Sequence, residues 1–537
     1  MKPKYIAAGC TLMGLLVAPA LSAQDIYRVT DMANEDLNGT ARFVGMGGAL
    51  SALGADMSVM STNPAGIGLF RSSDVSVTAG LRRQIEGNAF AGRDVVNLSF
   101  DQAGFVYSIR TGGKNVRFFN MGFNYHKRKN FNDLFGGGVN LASLNGISQS
   151  WQMADLAYTS RPLDLSIGED NTMSPDFDLT TPLTGLGAMT QMIIPEYDEE
   201  GNLTGHIPCN ATSNQSNVAR WGGVEEYDFN FSGNIKDRFY VGMTLSAYHV
   251  DWHNVTGYSE VISDGTQSGD YQLSSEESLT GNGFDLKFGF IMRPVEESAF
   301  RIGLSFTTPT FFDLTHSAYA NMTSPFSDSE GYSLNQDVEV YPHDYRIRTP
   351  WKLNVSLGHT IGSSIALGAE YEFADYSSAK ISYPDYGYND YWDYSWSSGS
   401  DDQALNAETK YFLKKVHTFR VGAEAKVYPG LFLRAGYNYV SSPMRNDAYN
   451  NLFTESPSYY YSVSTDYLNL KETNRVTAGI GYRGKHFYAD MAYQYEARKG
   501  DYYAFHVPYT GSEENALTAV PVKLNKHQLL LTLGYKF

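Results

Sequence analysis

Cysteine is nearly absent from this sequence, with two residues in 537. Cys10 lies in an N-terminal stretch that we expect to be cleaved off, which leaves Cys209 as a single thiol. One thiol cannot form an internal disulfide, so the fold must be stable without a disulfide framework. We interpret Cys209 as an ordinary loop residue, because its H-x-x-C pairing with His206 supplies too few ligands for a zinc site.

Long apolar runs and positive charge are also scarce. After the N-terminal stretch, no run approaches the roughly 18 apolar residues of a membrane-spanning helix. The formal net charge is -17, which argues against a nucleic-acid partner. The motifs G-x-S-x-G and H-E-x-x-H and the P-loop are missing as well. We therefore predict no enzymatic activity, no catalytic residues, no cofactor and no metal site.

The N-terminus has the pattern of an export signal. Residues 1–4 carry two lysines, residues 6–18 are mostly apolar, and residues 20–23 end in small side chains. This pattern predicts a signal peptide over residues 1–23. Lipoprotein processing at Cys10 is disfavoured, because the apolar run continues well past that cysteine.

Aromatic residues and glycine are abundant, with 39 Tyr, 30 Phe and 51 Gly. Several segments alternate apolar and polar residues with a period of two, which sends one set of side chains to each face of a sheet. The clearest segments are Phe119–Tyr125, Phe284–Met292, Ile365–Phe373, Leu431–Tyr439 and Phe487–Tyr495. The sequence therefore predicts an all-β protein.

Two kinds of all-β protein show this alternation, a soluble sandwich and a transmembrane antiparallel β-barrel. The segments run to about nine to eleven residues, the length of a membrane-spanning strand. Their apolar sets often end in Tyr or Phe, as the aromatic girdles of a barrel require. We therefore predict a barrel, with twelve to sixteen strand-like segments between Val75 and Phe537. The terminal Phe537 closes an alternating segment and resembles the signal that the outer-membrane barrel-assembly machinery reads.

Long polar stretches separate some of these segments, and we expect them to be extracellular loops. The two largest cover residues 129–224 and residues 376–408, the second of which is rich in Tyr. In the first, apolar residues recur at near-helical spacing, which predicts a helix at the outer mouth of the barrel. These residues are Leu141, Leu144, Ile147, Trp151 and Leu156.

Residues 24–74 precede the first predicted strand, and residues 75–537 form the predicted barrel. About fifty residues without a disulfide are too few for an independent domain, so we expect them to lie in the lumen as a hatch. Gly47–Met60 reads as a short helix, which Asn63 and Pro64 then end, because proline disfavours helix at the residue before it.

The stretch GTARFVGMGGALSALGADMSVMSTNPAGI resembles the N-terminal hatch of the FadL-type outer-membrane transporters, and the last strands resemble theirs. The resemblance implies about 14 strands, a hatch in the lumen and a kink in the third strand that opens the wall laterally. The family's Asn-Pro-Ala motif corresponds to Asn63, Pro64 and Ala65, followed by Gly66. This motif either fixes the hatch against the wall or ends a helix.

The resemblance also implies a monomeric channel in a Gram-negative outer membrane, surrounded by lipid bilayer and lipopolysaccharide. Its ligand is a hydrophobic small molecule such as a fatty acid, an aromatic or a heme-like compound. We expect capture at the extracellular mouth, along the five apolar residues between 141 and 156, and lateral release into the membrane after a hatch shift. Each buried methylene contributes about 0.8 kcal/mol, so a dry path favours such a ligand.

Charged residues alternate onto the predicted inner face of the barrel, where they either guide a carboxylate head group or pair with each other. We favour pairing for this set, which comprises Arg301, Glu370, Arg420, Glu424 and Arg434.

An alternative function is a binding or docking protein of the outer membrane, for hemin, a glycan or a secretion-system partner, without transport. A TonB-dependent hemin receptor is excluded by size, because such receptors have about 22 strands and a larger plug.

Overall fold

The computed structural model describes residues 24–537 except 160–164, 168–172, 176–180, 265–266, 328–330, 332, 390–393, 453–455, 457–460 and 507–516. The predicted signal peptide therefore lies outside the described residues. The first twelve strands are β1 Asp74–Gln84, β2 Val96–Arg110, β3 Val116–Asn130, β4 Asp133–Gly137, β5 Leu165–Ile167, β6 Met173–Pro175, β7 Ile193–Tyr197, β8 Leu203–Pro208, β9 Ala211–Ile235, β10 Phe239–Asp264, β11 Gln267–Met292 and β12 Arg301–Thr307.

The remaining strands are β13 Phe311–Ser327, β14 Ser333–Arg348, β15 Lys352–Ile361, β16 Ile365–Asp375, β17 Lys380–Asn389, β18 Tyr394–Asp401, β19 Lys415–Tyr428, β20 Leu431–Val440, β21 Tyr467–Arg483, β22 Phe487–Tyr503, β23 Val520–Lys523 and β24 Lys526–Lys536. The helices are α1 Gln24–Ala33, α2 Ala41–Gly45, α3 Gln149–Thr159, α4 Pro182–Met189 and α5 Gln403–Phe412. Short 3-10 helices cover Met57–Met60, Pro64–Leu69, Ala142–Leu144 and Tyr376–Ser378.

Fourteen strands close into one antiparallel barrel, which confirms the predicted fold class and the strand count. The ring runs through β1, β2, β3, β9, β10, β11, β12, β15, β16, β19, β20, β21, β22 and β24. It closes where β24 pairs with β1, from Lys536 opposite Asp74 to Lys526 opposite Gln84. Closure removes the free edges that an open sheet would present.

The alternating sequence pattern becomes an apolar outside and a polar inside. In β11, Phe284, Phe288 and Phe290 are exposed on the outer face, whereas Asp285 and Lys287 are buried on the inner face. A continuous apolar exterior on a closed barrel is the surface that faces lipid. Among the described residues, no helix has the length and apolar character needed to cross a membrane.

The two ends of the barrel differ in the length of their connections. At one end, here called the short-turn end, the ring strands are joined by residues 111–115, 236–238, 293–300, 362–364, 429–430 and 484–486. At the other, the long-loop end, residues 131–210 connect β3 to β9, and we call these residues the cap. The strands β9, β10 and β11 are 25, 26 and 26 residues long, so they continue past the apolar band.

Two predicted loops are therefore partly strands. The stretch 129–224 includes the end of β3 and the first half of β9, and the stretch 376–408 contains the hairpin of β17 and β18 and the start of α5. Their sequences read as loops because these strands project past the apolar band. Outer-face residues there, such as Gln215 and Asn217, are exposed and polar.

The predicted helix over Gly47–Met60 is wrong. These residues form successive tight turns and then the 3-10 helix Met57–Met60. Gly47, Gly48 and Gly54 have φ angles of +63°, +84° and +62°, which lie in the left-handed region that an α-helix excludes. Pro64 also does not end a helix. It occupies the first position of the 3-10 helix Pro64–Leu69, where its missing N–H removes no hydrogen bond.

Candidate functional site

Residues 24–73, here called the N-terminal segment, are mostly buried and contact the inner face of the barrel wall. In α1, the Arg28 guanidinium lies 2.7 Å from the Glu277 carboxylate of β11 and stacks 3.6 Å above the Trp252 ring of β10. Strand β1 then begins at Asp74, one residue before the predicted boundary.

A row of wall glycines receives the backbone of this segment. Four glycines pair in register across four neighbouring strands, namely Gly358, Gly368, Gly422 and Gly436. A Cβ at Gly368 would overlap the carbonyl oxygen of Ala49. One at Gly422 would overlap the carbonyl oxygen of Met46. The segment therefore lies directly on the wall, at a distance that only glycine permits.

The motif Asn63–Gly66 is seated on two more paired wall glycines. The Asn63 Oδ1 accepts a hydrogen bond from the Ala65 amide at 3.2 Å and caps the 3-10 helix. A Cβ at Gly289 would overlap Asn63 Oδ1, and one at Gly242 would overlap the carbonyl group of Pro64. The motif therefore starts a helix and contacts the wall at the same residues.

The lumen charges form pairs, among themselves and with the N-terminal segment. Arg434 lies 2.6 Å from both Glu424 and Asp490, and its side chain is fully buried. Arg420 lies 3.5 Å from Glu370. Glu424 also pairs with Arg42 of the N-terminal segment at 3.2 Å. Two members contact backbone atoms of that segment: Arg301 donates to the Leu53 carbonyl at 2.9 Å, and Glu370 accepts from the Ser51 amide at 2.6 Å. A role for these charges in guiding a ligand stays a prediction.

The barrel wall is interrupted between β2 and β3. Their pairing ends where Gln102 lies opposite His126. A β-bulge at Asp101 shifts the register of β2 against β1 at this level, and bulges bend a strand locally. Beyond it, β2 pairs only with β1, while the end of β3 pairs only with β9, after its own register shift between Lys127 and Lys129. The strands thus part over residues 96–101 of β2 and 127–130 of β3, and we call this interruption the wall gap.

The N-terminal segment closes the wall gap from the inside. Asn38 Nδ2 donates to Asp101 Oδ1 of β2 at 2.8 Å and to the Lys127 carbonyl of β3 at 2.9 Å. The Asp36 amide donates to the Arg128 carbonyl at 3.0 Å, and the Asp36 carboxylate accepts from the Asn130 amide at 3.0 Å. We call residues 36–38 the latch.

The latch carries a strongly perturbed carboxyl group. Burial alone raises the pKa of Asp36, but the neighbouring cations Arg82, Lys129 and Arg475 outweigh burial and lower it far below the ordinary range. Arg82 lies 2.8 Å from the carboxylate. Asp36 is therefore charged at every physiological pH, and its charge holds three wall cations in place.

A small cavity of about 50 Å³ lies behind the latch. Its charged lining comprises Glu35, Asp36, His126, Arg128, Lys352, Glu372, Arg420 and Arg475. Glu35 pairs with Arg128 at 2.9 Å and also with Lys352. This cavity thus offers a polar space of a few water volumes.

One buried group of side chains has the donor atoms of a metal site. His126, Glu226 and Asp228 face each other across β3 and β9. The Lys287 ammonium contacts Glu226 and lies 3.3 Å from Asp228. This lysine already supplies positive charge at the point where a cation would bind, so the group fits an ion-pair cluster.

The apolar residues predicted for the ligand path lie in the cap. Leu141, Ile147 and Leu156 are buried in an apolar cluster with residues of β10 and β11 at the long-loop end. Leu144 and Trp151 are partly buried. Trp151 and Leu156 lie within α3, and Leu144 is the last residue of the 3-10 helix Ala142–Leu144. Cys209 is also buried here, and its amide donates to Ser150 Oγ at 2.9 Å.

The latch residues were not among the predicted site residues. Asp36 and Asn38 stand in an unremarkable polar stretch, NEDLN, and their partners lie more than forty residues away in the chain. The wall glycines did carry a signal, because glycine recurs at inward positions such as Gly289, Gly368 and Gly436 in the alternating segments.

No protein-family model matches the chain, and no curated protein matches it in sequence. Among solved structures, a Pseudomonas aeruginosa FadL homologue is 11% identical over 94% of this chain and 99% of its own, with a TM-score of 0.50. The P. putida toluene transporter TodX is 13% identical over 94% of this chain and 99% of its own, with a TM-score of 0.46. The Ralstonia pickettii toluene transporter TbuX is 13% identical over 93% and 98%, with a TM-score of 0.45. At these identities the likeness shows the fold.

Proposed function

We propose that this chain, which has the FadL-type barrel fold, is an outer-membrane channel for the passive uptake of hydrophobic small molecules. The observation that carries the proposal is the wall gap between β2 and β3, closed from the inside by the latch. A gap that opens onto the lipid-facing side gives an apolar ligand an exit that avoids water. The solved barrels of this fold include transporters of toluene, which is a ligand of this kind.

In the proposed route, the ligand is captured at the long-loop end. The apolar cluster of the cap, which includes Leu141, Ile147 and Leu156, is the surface that takes up an apolar ligand when the cap opens. A long acyl chain gains on the order of 10 kcal/mol from leaving water, at about 0.8 kcal/mol per methylene. The ligand's own gradient then drives transport.

Release requires the latch to leave the wall gap. We propose that residues 34–38 move and that residues 45–68 stay on the wall, because the second group fills the row of wall glycines. The hatch shift is then local. The latch is held by hydrogen bonds to β1, β2 and β3, and each such bond is worth about 1 kcal/mol net.

The charged lining behind the latch favours a ligand with a polar head. Arg128, Lys352 and Arg420 line the cavity, and a carboxylate entering beside them replaces Glu35 or Glu372 as their partner. Fatty acids combine such a head with an apolar chain, so they are the ligand class that we propose first. Aromatic and heme-like compounds are the ligand classes that we propose next.

The proposal includes the rest of the predicted organisation. Residues 1–23 are a signal peptide, the N-terminal segment is the hatch, and the barrel acts as a monomer in the outer membrane of a Gram-negative bacterium. Its long-loop end faces lipopolysaccharide, and the barrel-assembly machinery inserts it.

A second candidate function is docking without transport. The observation that favours it is the filled lumen, because the cavity behind the latch holds only about 50 Å³ and the cap closes the long-loop end with a packed apolar cluster. In this case the cap binds hemin, a glycan or a secretion-system partner on its outer surface.

Uptake and binding together distinguish the two functions. Cells that carry or lack the chain would be supplied with labelled oleate, toluene or hemin, and the purified barrel would be titrated with the same three compounds. We expect faster uptake and saturable binding of oleate. Binding of none of the three would refute transport, and hemin binding without uptake would favour docking.

A further inference from the structure

The two ends of the barrel carry opposite charge. The turns of the short-turn end, with their flanking residues, contain nine Lys or Arg against three Asp or Glu, over residues 110–117, 236–238, 293–300, 362–364, 426–430 and 483–487. The described residues of the cap contain six Asp or Glu and no Lys or Arg. Since the whole chain has a net charge of -17, positive charge is concentrated at the short-turn end.

Four arginines of this end gather at two neighbouring turns, two of them beside the Asp237 carboxylate and two on backbone carbonyls. Arg71 lies 2.9 Å from the Asp237 carboxylate and Arg117 lies 3.9 Å from it. Arg293 donates to the Asp237 backbone carbonyl at 3.2 Å. Arg238 donates to the backbone carbonyls of residues 293 and 294 at 3.3 and 3.2 Å. Among the described residues, only Asp237 forms an ion pair with any of the four, so the cluster keeps an excess of positive charge.

The cluster lies where the apolar band of the barrel ends. The Arg238 guanidinium stacks 5.6 Å above the Phe239 ring, and the Arg71 guanidinium lies 5.9 Å above the Phe118 ring. Phe239 lies on the outer face of β10 with the exposed Val241, whereas Phe118 lies on the inner face of β3, opposite the buried Asn234. Arginine side chains at such a border rest on apolar surface and hold their charge at the level of the lipid head groups.

We propose that this arginine cluster binds the head groups of anionic phospholipids in the leaflet that contacts the short-turn end. The guanidinium fork matches the geometry of a phosphate, and several forks around one site hold it from more than one side. A lipid fits better than an acidic protein, because Arg238 stacks on Phe239, which shares the lipid-facing side of β10 with the exposed Val241. Glu296 and Glu297 of the neighbouring turn are exposed, but the net charge of the short-turn end stays positive when they are counted.

The inference goes beyond the proposed transport function. It rests on the barrel lying in a membrane and holds whichever molecule the barrel carries. Each basic residue near an anionic surface contributes about 1 kcal/mol, which corresponds to roughly five-fold in affinity. Three substitutions are therefore expected to lower affinity on the order of a hundred-fold at low salt, and less where salt screens exposed charges.

The test compares two triple variants of the full barrel in detergent. The first is Arg71→Gln/Arg117→Gln/Arg238→Gln, in the cluster. The matched control is Lys410→Gln/Lys499→Gln/Lys523→Gln, which removes the same charge from exposed positions at the long-loop end. Native mass spectrometry would count bound phosphatidylglycerol and phosphatidylcholine of identical acyl chains. A difference in gel mobility between heated and unheated samples would verify that each barrel is folded.

We expect wild type and the control to prefer phosphatidylglycerol, and the cluster variant to lose that preference. Equal preference in all three proteins, or none in wild type, would overturn the proposal. Displacement of the lipid by millimolar inorganic phosphate would also overturn it, since the site would then bind any anion. If the triple variant does not fold, Arg238→Gln alone replaces it, with an expected loss of roughly five-fold.

Discussion

The Nδ2 atom of Asn38 lies 2.8 Å from Oδ1 of Asp101, at the bulge where β2 parts from β3. The same nitrogen lies 2.9 Å from the Lys127 carbonyl oxygen, so one side chain joins both edges of the wall gap. Asn38→Ala removes both hydrogen bonds. At about 1 kcal/mol each, their loss should raise the open population of the latch on the order of ten-fold or more.

Hydrogen exchange measures this opening directly. The amides of Asp36 and Asn130 are protected by the latch, so both should exchange faster in Asn38→Ala. The control is Asn406→Ala, which also removes two hydrogen bonds of one asparagine, both to the Ile381 backbone at the long-loop end. If the two latch amides exchange equally in all proteins, Asn38 does not hold the gap closed.

The wall glycines make a prediction about stability. Gly368→Ala places a Cβ against the Ala49 carbonyl oxygen, which belongs to backbone and cannot rotate away. Overpacking of this kind costs about 1–3 kcal/mol. Urea unfolding of the barrel in detergent would measure the loss. Gly205→Ala, where a Cβ meets nothing within 4 Å, should change the free energy of unfolding little, and an equal loss in both variants would contradict the close approach.

The buried ion pairs predict a larger loss. Arg434→Met leaves the carboxylates of Glu424 and Asp490 without the cation that lies 2.6 Å from each. Removing one partner of a buried pair costs about 3–5 kcal/mol. Arg445→Met breaks an ion pair with Asp447 that is exposed and should cost less than about 1 kcal/mol. The unfolding midpoints of the two variants would separate the cases.

The charge of Asp36 predicts that the latch is sensitive to acid. Its folded pKa is lowered, chiefly by Arg82, Lys129 and Arg475 against the opposing effect of burial. A carboxyl group of lowered pKa stabilises the fold above its unfolded pKa, about 4, and loses that contribution as pH falls toward the folded pKa. The protection of the Asn130 amide, taken as its exchange rate relative to the intrinsic rate at the same pH, should therefore fall below about pH 4. In Asp36→Asn, the Asn130 amide should exchange faster than in wild type at neutral pH, and its protection should change less with acid. An identical acid response in wild type and variant would contradict the role of this carboxyl group.

The barrel was predictable from the sequence, but the conformation of the N-terminal segment inside it was not. The alternation in segments such as Phe284–Met292 follows from having lipid on one face and a polar lumen on the other, and neighbouring residues alone reveal it. The turns at Gly47, Gly48 and Gly54 depend instead on contacts with distant strands. A Cβ at Gly47, for example, would lie 2.7 Å from the amide nitrogen of Tyr437. Such contacts leave no local periodicity, so the helix predicted there was wrong.

For the site residues, the direction of a side chain was predictable and its partners were not. Arg420, Glu424 and Arg434 were predicted to face inward, because inward positions follow from the alternation. Their partners depend on the strand register, which the sequence does not contain. The latch combines both difficulties, since Asp36 and Asn38 lie in a segment without periodicity and contact residues on five strands, β1, β2, β3, β21 and β24.

A cross-link can decide which part of the N-terminal segment moves. A Cβ at Gly45 lies 3.4 Å from the Cα of Gly479 in β21, and a Cβ at Gly479 lies 3.3 Å from the Cα of Gly45. These contacts place the two Cα atoms within about 5 Å of each other, at the short end of the roughly 4.4–6.8 Å that a disulfide bridges. The variant Gly45→Cys/Gly479→Cys, with Cys209→Ala to remove the native thiol, would fix the segment to the wall far from the latch.

If only residues 34–38 move, oxidation of this pair should leave oleate uptake unchanged, because the latch stays free to leave the wall gap. The reduced form of the same protein is the control for any effect of the substitutions themselves. Loss of uptake on oxidation, restored by reduction, would show that residues 45–68 must also leave the wall. The close fit of Ala49 and Met46 against wall glycines opposes that larger movement, because displacing them would separate packed backbone surfaces on β16 and β19.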